Sequence, residues 1–250
     1  MLDSIGIKRV RQNSIIIRWI SPLPGKGIRP RNSMKVISTN VTLPRVVSVH
    51  GKKVETGIFK IPVSGPIVVS KLNLQGDGQA DLSVHGGRDK AVYVYSWDNI
   101  LHWKKALQRD DLGPGSFGEN LTVEGLGENR VALGDEFAIG TARFVVTQPR
   151  LPCFKLALAL ETPSITKTFL ESGRTGFYLR VLQEGTLQAG DPIYPLPSRE
   201  PVKVTIAEFV ELYRIKRATR DQIRKILSLV ALPEAWKNRL IRKAGVEVGS

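Results

Sequence analysis

Apolar and polar residues alternate in short runs between residues 34 and 197, with Gly and Pro punctuating them, as in strands that bury one face. The alternation predicts strands over 34–40, 45–49, 66–74, 91–95, 120–124, 136–139, 143–147 and 177–183. Gly140 and Thr141 separate two of these runs and read as a two-residue hairpin turn, with glycine supplying positive φ. Two helices interrupt the strands. Residues 96–108 carry Ile100, Leu101, Trp103 and Leu107 at helical spacing. A second helix is expected to be capped by Thr162, to hold Pro163 at its first position and to end before Gly173, which delivers Arg174 to a loop.

After Pro197 the period becomes helical. Thr205 with Glu208, and Thr219 with Gln222, match the capping box, and Leu232 with Pro233 introduces a third helix ending near Gly245. The expected organisation is therefore a mainly β domain over 34–197, built as a barrel or sandwich with a few helices, followed by a small three-helix module over 198–245. Residues 1–33 stand apart, with seven basic residues against one acid and the linker-like run Pro22, Leu23, Pro24, Gly25, Lys26, Gly27. They are expected to be a disordered or artefactual basic extension.

With 250 residues the chain is long enough to bury a core without a staple. One cysteine forbids an internal disulfide and points to a reducing, cytoplasmic setting. No apolar run near the amino terminus is long enough to span a bilayer, so no membrane partner is expected. The net charge of +14 favours an anionic ligand or partner. In the tail, twelve basic residues are interleaved with five acidic and many apolar ones. That mixture fits a solvated or protein-docking surface better than a DNA reader, and no nucleic acid is expected.

Several chemistries fall away. Gly113, Pro114, Gly115, Ser116, Phe117, Gly118 matches the dinucleotide glycine pattern, but it follows a helix and leads into a strand, the reverse of the required order. There is no nucleophile elbow, no Walker loop and no zinc-protease helix, and pyridoxal phosphate is not expected. His50, His85, His102 and Cys153 show no zinc-ligand spacing. Any metal must bring ligands of its own.

Cys153 lies in Gln148, Pro149, Arg150, Leu151, Pro152, Cys153, Phe154, Lys155, between basic residues that favour a thiolate, the form that holds soft metals. A lone cysteine is otherwise a small buried hydrophobe. A Gly-rich loop over 76–90 contains His85, Gly86, Gly87, Arg88 and Lys90 ahead of a strand, and its backbone N–H groups and cations suit an anion, although a plain surface turn has the same composition. Phe117, Gly118, Glu119, Asn120, Leu121 is a second such loop, and the run 172–180, with Arg174 and Arg180, is a third. Asn120 read alone ends a turn, and Arg180 read alone decorates a strand.

In order, these segments resemble the MOSC domain, the molybdenum-cofactor sulfurase carboxy-terminal domain family, and within it the YiiM-like branch. The resemblance covers about 34–245 and rests on 56–63, the 76–90 loop, 118–121, 148–156 and 172–181. It implies a MOSC-type β-barrel that binds the molybdenum cofactor, with Cys153 as the protein's sulfur ligand to molybdenum. Lys90, Arg150 and Arg174 become candidate partners of the cofactor's anionic groups, with Gly86 and Gly87 in the cradle. His85 and Asn120 become candidates for bonds to the pterin or to the reacting centre. Lys60 is a weaker candidate, since covering a barrel end is sufficient reason for a lysine there. The implied activity is reduction of small N-hydroxylated compounds such as N-hydroxylated purine base analogues, a detoxifying reaction whose electrons come from an external reductase. The alternative is a non-enzymatic carrier of the cofactor or of sulfur, also using Cys153.

Overall fold

The computed structural model describes residues 34–49, 51–80, 86–215 and 218–244. The extension over 1–33, the expected helix end near Gly245, and His50 and His85 lie outside them. In chain order the elements are β1 Lys35–Val41, β2 Arg45–Val49, β3 Lys52–Thr56, β4 Ile61–Val63, β5 Ile67–Val69, β6 Val92–Ser96, α1 Trp97–Leu107, β7 Leu121–Glu124, β8 Glu136–Ile139 and β9 Ala142–Pro149. There follow α2 Phe154–Ala159, α3 Ile165–Glu171, β10 Phe177–Gln183, β11 Gly185–Leu187, β12 Ile193–Leu196, α4 Ile206–Arg214, α5 Arg220–Leu227 and α6 Glu234–Ala244. A single 3₁₀ turn, Arg88–Lys90, precedes β6.

Eight strands form one sheet in the order β12, β8, β9, β10, β6, β7, β1, β4. All of its pairings are antiparallel except β6 with β7, so the sheet is mixed. Its ladder ends at β4 and β12 and does not form the closed barrel expected from the sequence. The two end strands are short and carry Pro62 and Pro195, which lack the N–H that a continuing ladder needs. Ile193 N–H still donates to Met34 O at 2.9 Å, and Val36 N–H to Asp191 O at 2.9 Å, tying β1 to the approach to β12 over a short stretch.

Side-chain alternation divides the interior in two. On β6, Val92 and Val94 face one apolar cluster and Tyr93 and Tyr95 face the other, as the two-residue period of a strand covered on both sides requires. The first cluster joins the sheet to α4–α6 through Ile206, Phe209, Ile226, Leu232, Trp236 and Leu240. The second is aromatic and lies with α1–α3: Tyr95 stacks on Phe117 with centroids 4.8 Å apart, and Trp103 on Phe169 at 5.9 Å. The Trp103 indole N–H donates to Tyr95 Oη at 2.8 Å, and Tyr95 donates onward to Arg174 O at 3.0 Å, so this core keeps its polar tips satisfied.

Both capping boxes form, Thr205 with Glu208 and Thr219 with Gln222. The helix expected from Thr162 begins later, at Ile165, because the Thr162 hydroxyl donates back to Leu160 O at 2.9 Å instead of capping. The strand expected over 66–74 stops at Val69, where Ser70 Oγ bonds Asn73 and closes a turn. Such local side-chain bonds compete with the ladder. Among the described residues no helix is long and apolar enough to cross a membrane.

Candidate functional site

Five stretches of chain meet around one cleft: 56–60, 77–80, 90–93, 118–120 and 150–155, with Tyr178 of β10. The cleft is open at its mouth and encloses a volume of about 110 Å³. Its close walls depend on glycine. A Cβ on Gly57 would meet Gly78 O at 2.9 Å, and one on Gly118, which has φ +76°, would meet Ile58 Cγ1 at 2.8 Å.

Cys153 and Arg150 are set by one chain reversal. Strand β9 runs through Pro149, Arg150 N–H donates to Gly176 O at 3.4 Å, and Pro152 precedes Cys153, which stands in extended conformation (φ −133°) just ahead of α2. The cysteine side chain makes no capping bond and is half-buried on the cleft wall. The Arg150 guanidinium is buried between two rings, 5.2 Å from the Tyr93 centroid and 5.4 Å from that of Phe169. Burial opposes its charge, and Tyr93, Tyr178 and Cys153 oppose that cost, so the guanidinium is held protonated. Among the described residues Arg150 Nη1 is buried without a hydrogen-bond partner. A buried, unpaired guanidinium is costly unless something anionic joins it.

Lys60 and Asp77 also line the cleft. Their side chains pair directly, with exposures of 7% and 4%. Asp77 also accepts from Thr42 N–H at 3.0 Å and from Asn120 Nδ2 at 2.8 Å. Burial lowers the Lys60 pKa, and the pairing with Asp77 works against that shift. Behind them Glu119 is fully buried, accepting from Gly115 N–H at 2.7 Å, Phe117 N–H at 3.0 Å and Thr122 Oγ1 at 2.8 Å. Burial nonetheless raises its pKa. The glycine pattern over 113–118 is thus an anion cradle after all, filled by the chain's own Glu119.

The structure brings Cys153, Arg150, Lys90 and Asn120 to this cleft. Asn120 is there to build the wall: its Oδ1 accepts from Tyr93 N–H at 3.0 Å while its Nδ2 serves Asp77. Gly86 and Gly87 are not on the lining; Gly87 N–H donates to Gln79 Oε1 at 2.8 Å, and it is Gln79 that reaches the cleft. His85 lies outside the described residues. Arg174 is the clear departure. Its Nη1 donates to Asn99 Oδ1 at 2.9 Å, in a network where buried Glu128 accepts from Asn99 Nδ2 at 2.7 Å and from Gly176 N–H at 2.8 Å. A buried carboxylate from a distant loop claims this arginine's surroundings, and no motif in the sequence marks that pairing. Lys60, with Asp77, was undervalued for the same reason. Tyr93, Tyr178 and Lys155 complete the lining, the last also donating to Glu55 O at 3.0 Å.

Among the described residues the lining therefore carries Lys60, Lys90, Arg150 and Lys155 with one acid, Asp77, which is engaged by Lys60. A soft sulfur beside a buried guanidinium with one unsatisfied nitrogen, in a cationic cleft with close backbone walls, fits a group that combines a thiolate-binding metal with an anionic arm.

Residues 81–194 match the MOSC domain. The chain is 40% identical over 209 residues to the uncharacterized protein YflK of Bacillus subtilis, covering 83% of this chain and 93% of that protein. It is 30% identical over 186 residues to a protein of Gibberella moniliformis named reductase, and spans 73% of itself but 32% of that longer protein. The crystal structure of YiiM from Geobacillus stearothermophilus superposes with a TM-score of 0.71 at 33% identity, over 84% of this chain and 99% of that one. With a MOSC-domain match over residues 81–194, 40% identity to YflK over 83% of its length and the YiiM fold over 84% of it, the chain belongs to the MOSC-domain family, in its YiiM-like branch.

Proposed function

We propose that the chain binds the molybdenum cofactor in this cleft and reduces small N-hydroxylated compounds, drawing its electrons from a separate reductase. The observation that carries the reading is the placement of Cys153 and Arg150 on one cleft, the latter a buried guanidinium whose Nη1 is unsatisfied among the described residues. Cys153 would hold the metal, and Arg150 and Lys90 would neutralise anionic groups of the cofactor. Lys60 is committed to Asp77 and contributes field more than direct contact. When bound, the cofactor supplies a two-electron centre that accepts oxygen. The chain's own part is to fix the sulfur, exclude water with the close walls at Gly57, Gly78 and Gly118, and keep the mouth open to a small substrate.

Reduction of R–NHOH to R–NH₂ and water consumes two electrons and two protons. The fungal relative named reductase is about three times the length this chain covers in it, which supports electron supply by a partner protein here. The test is molybdenum and pterin analysis of protein made in a cofactor-competent host, followed by turnover of an N-hydroxylated purine with a chemical reductant. Stoichiometric molybdenum, turnover, and loss of both in Cys153→Ser are expected. Bound cofactor without turnover would instead favour the carrier reading, and protein free of molybdenum with Cys153 intact would reject both.

A further inference from the structure

Lys90 reaches the cleft from the turn Arg88–Lys90, and that turn is fastened to the carboxy-terminal helices by two separate routes. In the first, the Trp236 indole N–H of α6 donates to the Gln148 side-chain oxygen, and Gln148 Nε2 donates to Asp89 O at 3.1 Å. Thr147 Oγ1 donates to the same carbonyl at 2.7 Å. In the second, Arg180 Nη2 donates to Ala231 O at 3.2 Å while its Nε donates to the Asp89 carboxylate at 2.6 Å. On the cleft side of the turn, Gln79 Nε2 donates to Lys90 O at 3.3 Å and Gln79 Oε1 accepts from Gly87 N–H.

The helical end of the first route is rigid. Trp236 is 7% exposed and meets Phe209 edge-on at 5.0 Å and Tyr213 at 5.4 Å. Gln148 is buried and spends both ends of its amide on this path, so it has no alternative orientation that keeps both bonds. Arg180 likewise uses its planar fork to join a backbone carbonyl of the helical region to a carboxylate of the turn, a geometry that lysine cannot reproduce.

We propose that the three carboxy-terminal helices clamp the cleft, with Trp236, Gln148 and Arg180 acting as positioning residues that hold Asp89 and so fix Lys90 for the cofactor's anionic arm. The clamp deepens the cofactor reading and rests on it for the role of Lys90. It also assigns the helices a task within the chain: they are part of the binding apparatus.

The test compares Trp236→Phe, Arg180→Lys, Lys90→Ala and the double variant Trp236→Phe with Lys90→Ala, all made in a cofactor-competent host. Trp236→Phe keeps an aromatic ring and removes the N–H; Arg180→Lys keeps the charge and removes the fork, and serves if the first variant does not fold. Each clamp variant is expected to lower molybdenum and pterin per folded chain by roughly threefold or more, the scale of coupling through a packed network. In the Lys90→Ala background Trp236→Phe should cause no further loss, whereas independent, multiplying losses would overturn the clamp. Hydrogen exchange in the cofactor-free chain gives a readout that needs no cofactor. The amides of Gly87 and Lys90 should exchange faster in both clamp variants, and unchanged exchange there overturns the proposal. If Lys90→Ala keeps full cofactor content, the assignment of Lys90 to the cofactor fails, while faster exchange at Gly87 and Lys90 still supports the clamp.

Discussion

Lys60 and Asp77 are ion-paired inside the wall of the cleft, their side chains 7% and 4% exposed, and the acid is held by two further donors, Thr42 N–H and Asn120 Nδ2. This pair joins the 56–60 and 77–80 stretches, two parts of the lining that also holds Cys153 and Arg150. Both remaining donors to Asp77 come from other segments, so the pair is the meeting point of four loops.

Lys60→Met leaves Asp77 buried without its cation. Breaking such a pair costs about 3–5 kcal/mol, and the two surviving donors place the expected loss near the lower end, about 3 kcal/mol at pH 7. The pH dependence has a definite sign. Because burial lowers the folded-state pKa of Lys60 below its ordinary 10.5, the folded chain binds fewer protons than the unfolded one between the two values. Wild-type stability attributable to Lys60 is then fully present above 10.5 and is lost as pH falls through the lowered pKa. Urea unfolding of both proteins from pH 7 to 10.5 should show the gap widening with pH; a gap that narrows would mean that pairing with Asp77 outweighs burial.

Arg174→Ala separates a structural network from a cofactor contact. The side chain serves Asn99, beside the buried carboxylate of Glu128, whose pKa is raised by burial and drawn back by its hydrogen bonds and by Arg174. Removing the guanidinium should cost about 1–3 kcal/mol, the price of an unsatisfied buried group. Molybdenum per folded chain should match wild type. A cofactor-depleted variant of undiminished apo-protein stability is the contrary result, and it would return Arg174 to the cofactor.

The sheet strands over 136–139 and 177–183, and both capping boxes, were legible because each depends on residues within a few positions of one another. Cys153 and Arg150 were legible too, since their chemistry is stated by their own side chains and their spacing. The bonds of Arg174 and Lys60 were not legible because their partners, Asn99 and Asp77, lie 75 and 17 residues away. Closure of the barrel is not confirmed: the ladder runs from β4 to β12, with only short contacts between β1 and the stretch entering β12. Helix α2 was missed altogether: six residues following Pro152 and Cys153 carry too short a period to register.

Gly115→Ala probes the internal cradle of Glu119. Gly115 has φ +87°, and a Cβ there would stand 2.5 Å from the backbone oxygen of Lys60, an atom that cannot rotate away. The left-handed backbone costs an L-residue about 1–2 kcal/mol and the overpacking about 1–3 more, so a loss of about 2–5 kcal/mol is expected. Thermal unfolding measures it. Since the 113–119 loop touches Lys60, cofactor content should fall with stability; a variant as stable as wild type would show that the loop can move off Lys60 without strain.

Arg150→Met should do the reverse of most core substitutions. In the cofactor-free chain it removes a buried guanidinium whose Nη1 has no partner and replaces it with an unbranched apolar side chain that can lie against Tyr93 and Phe169. The lost cation–π contacts, about 0.5–2 kcal/mol, are set against relief of an unsatisfied buried donor, about 1–3 kcal/mol. Apo-protein stability should therefore hold or rise. Cofactor binding should suffer, because a charge-assisted hydrogen bond contributes about 1.5–3 kcal/mol, equivalent to roughly a tenfold to hundredfold loss of affinity. Arg150→Lys keeps the charge without the fork and should fall between the two. Melting temperature of the apo-protein and molybdenum content, measured together, decide the matter: a guanidinium kept for the cofactor shows stability and occupancy moving apart, whereas a guanidinium kept for the fold shows them falling together.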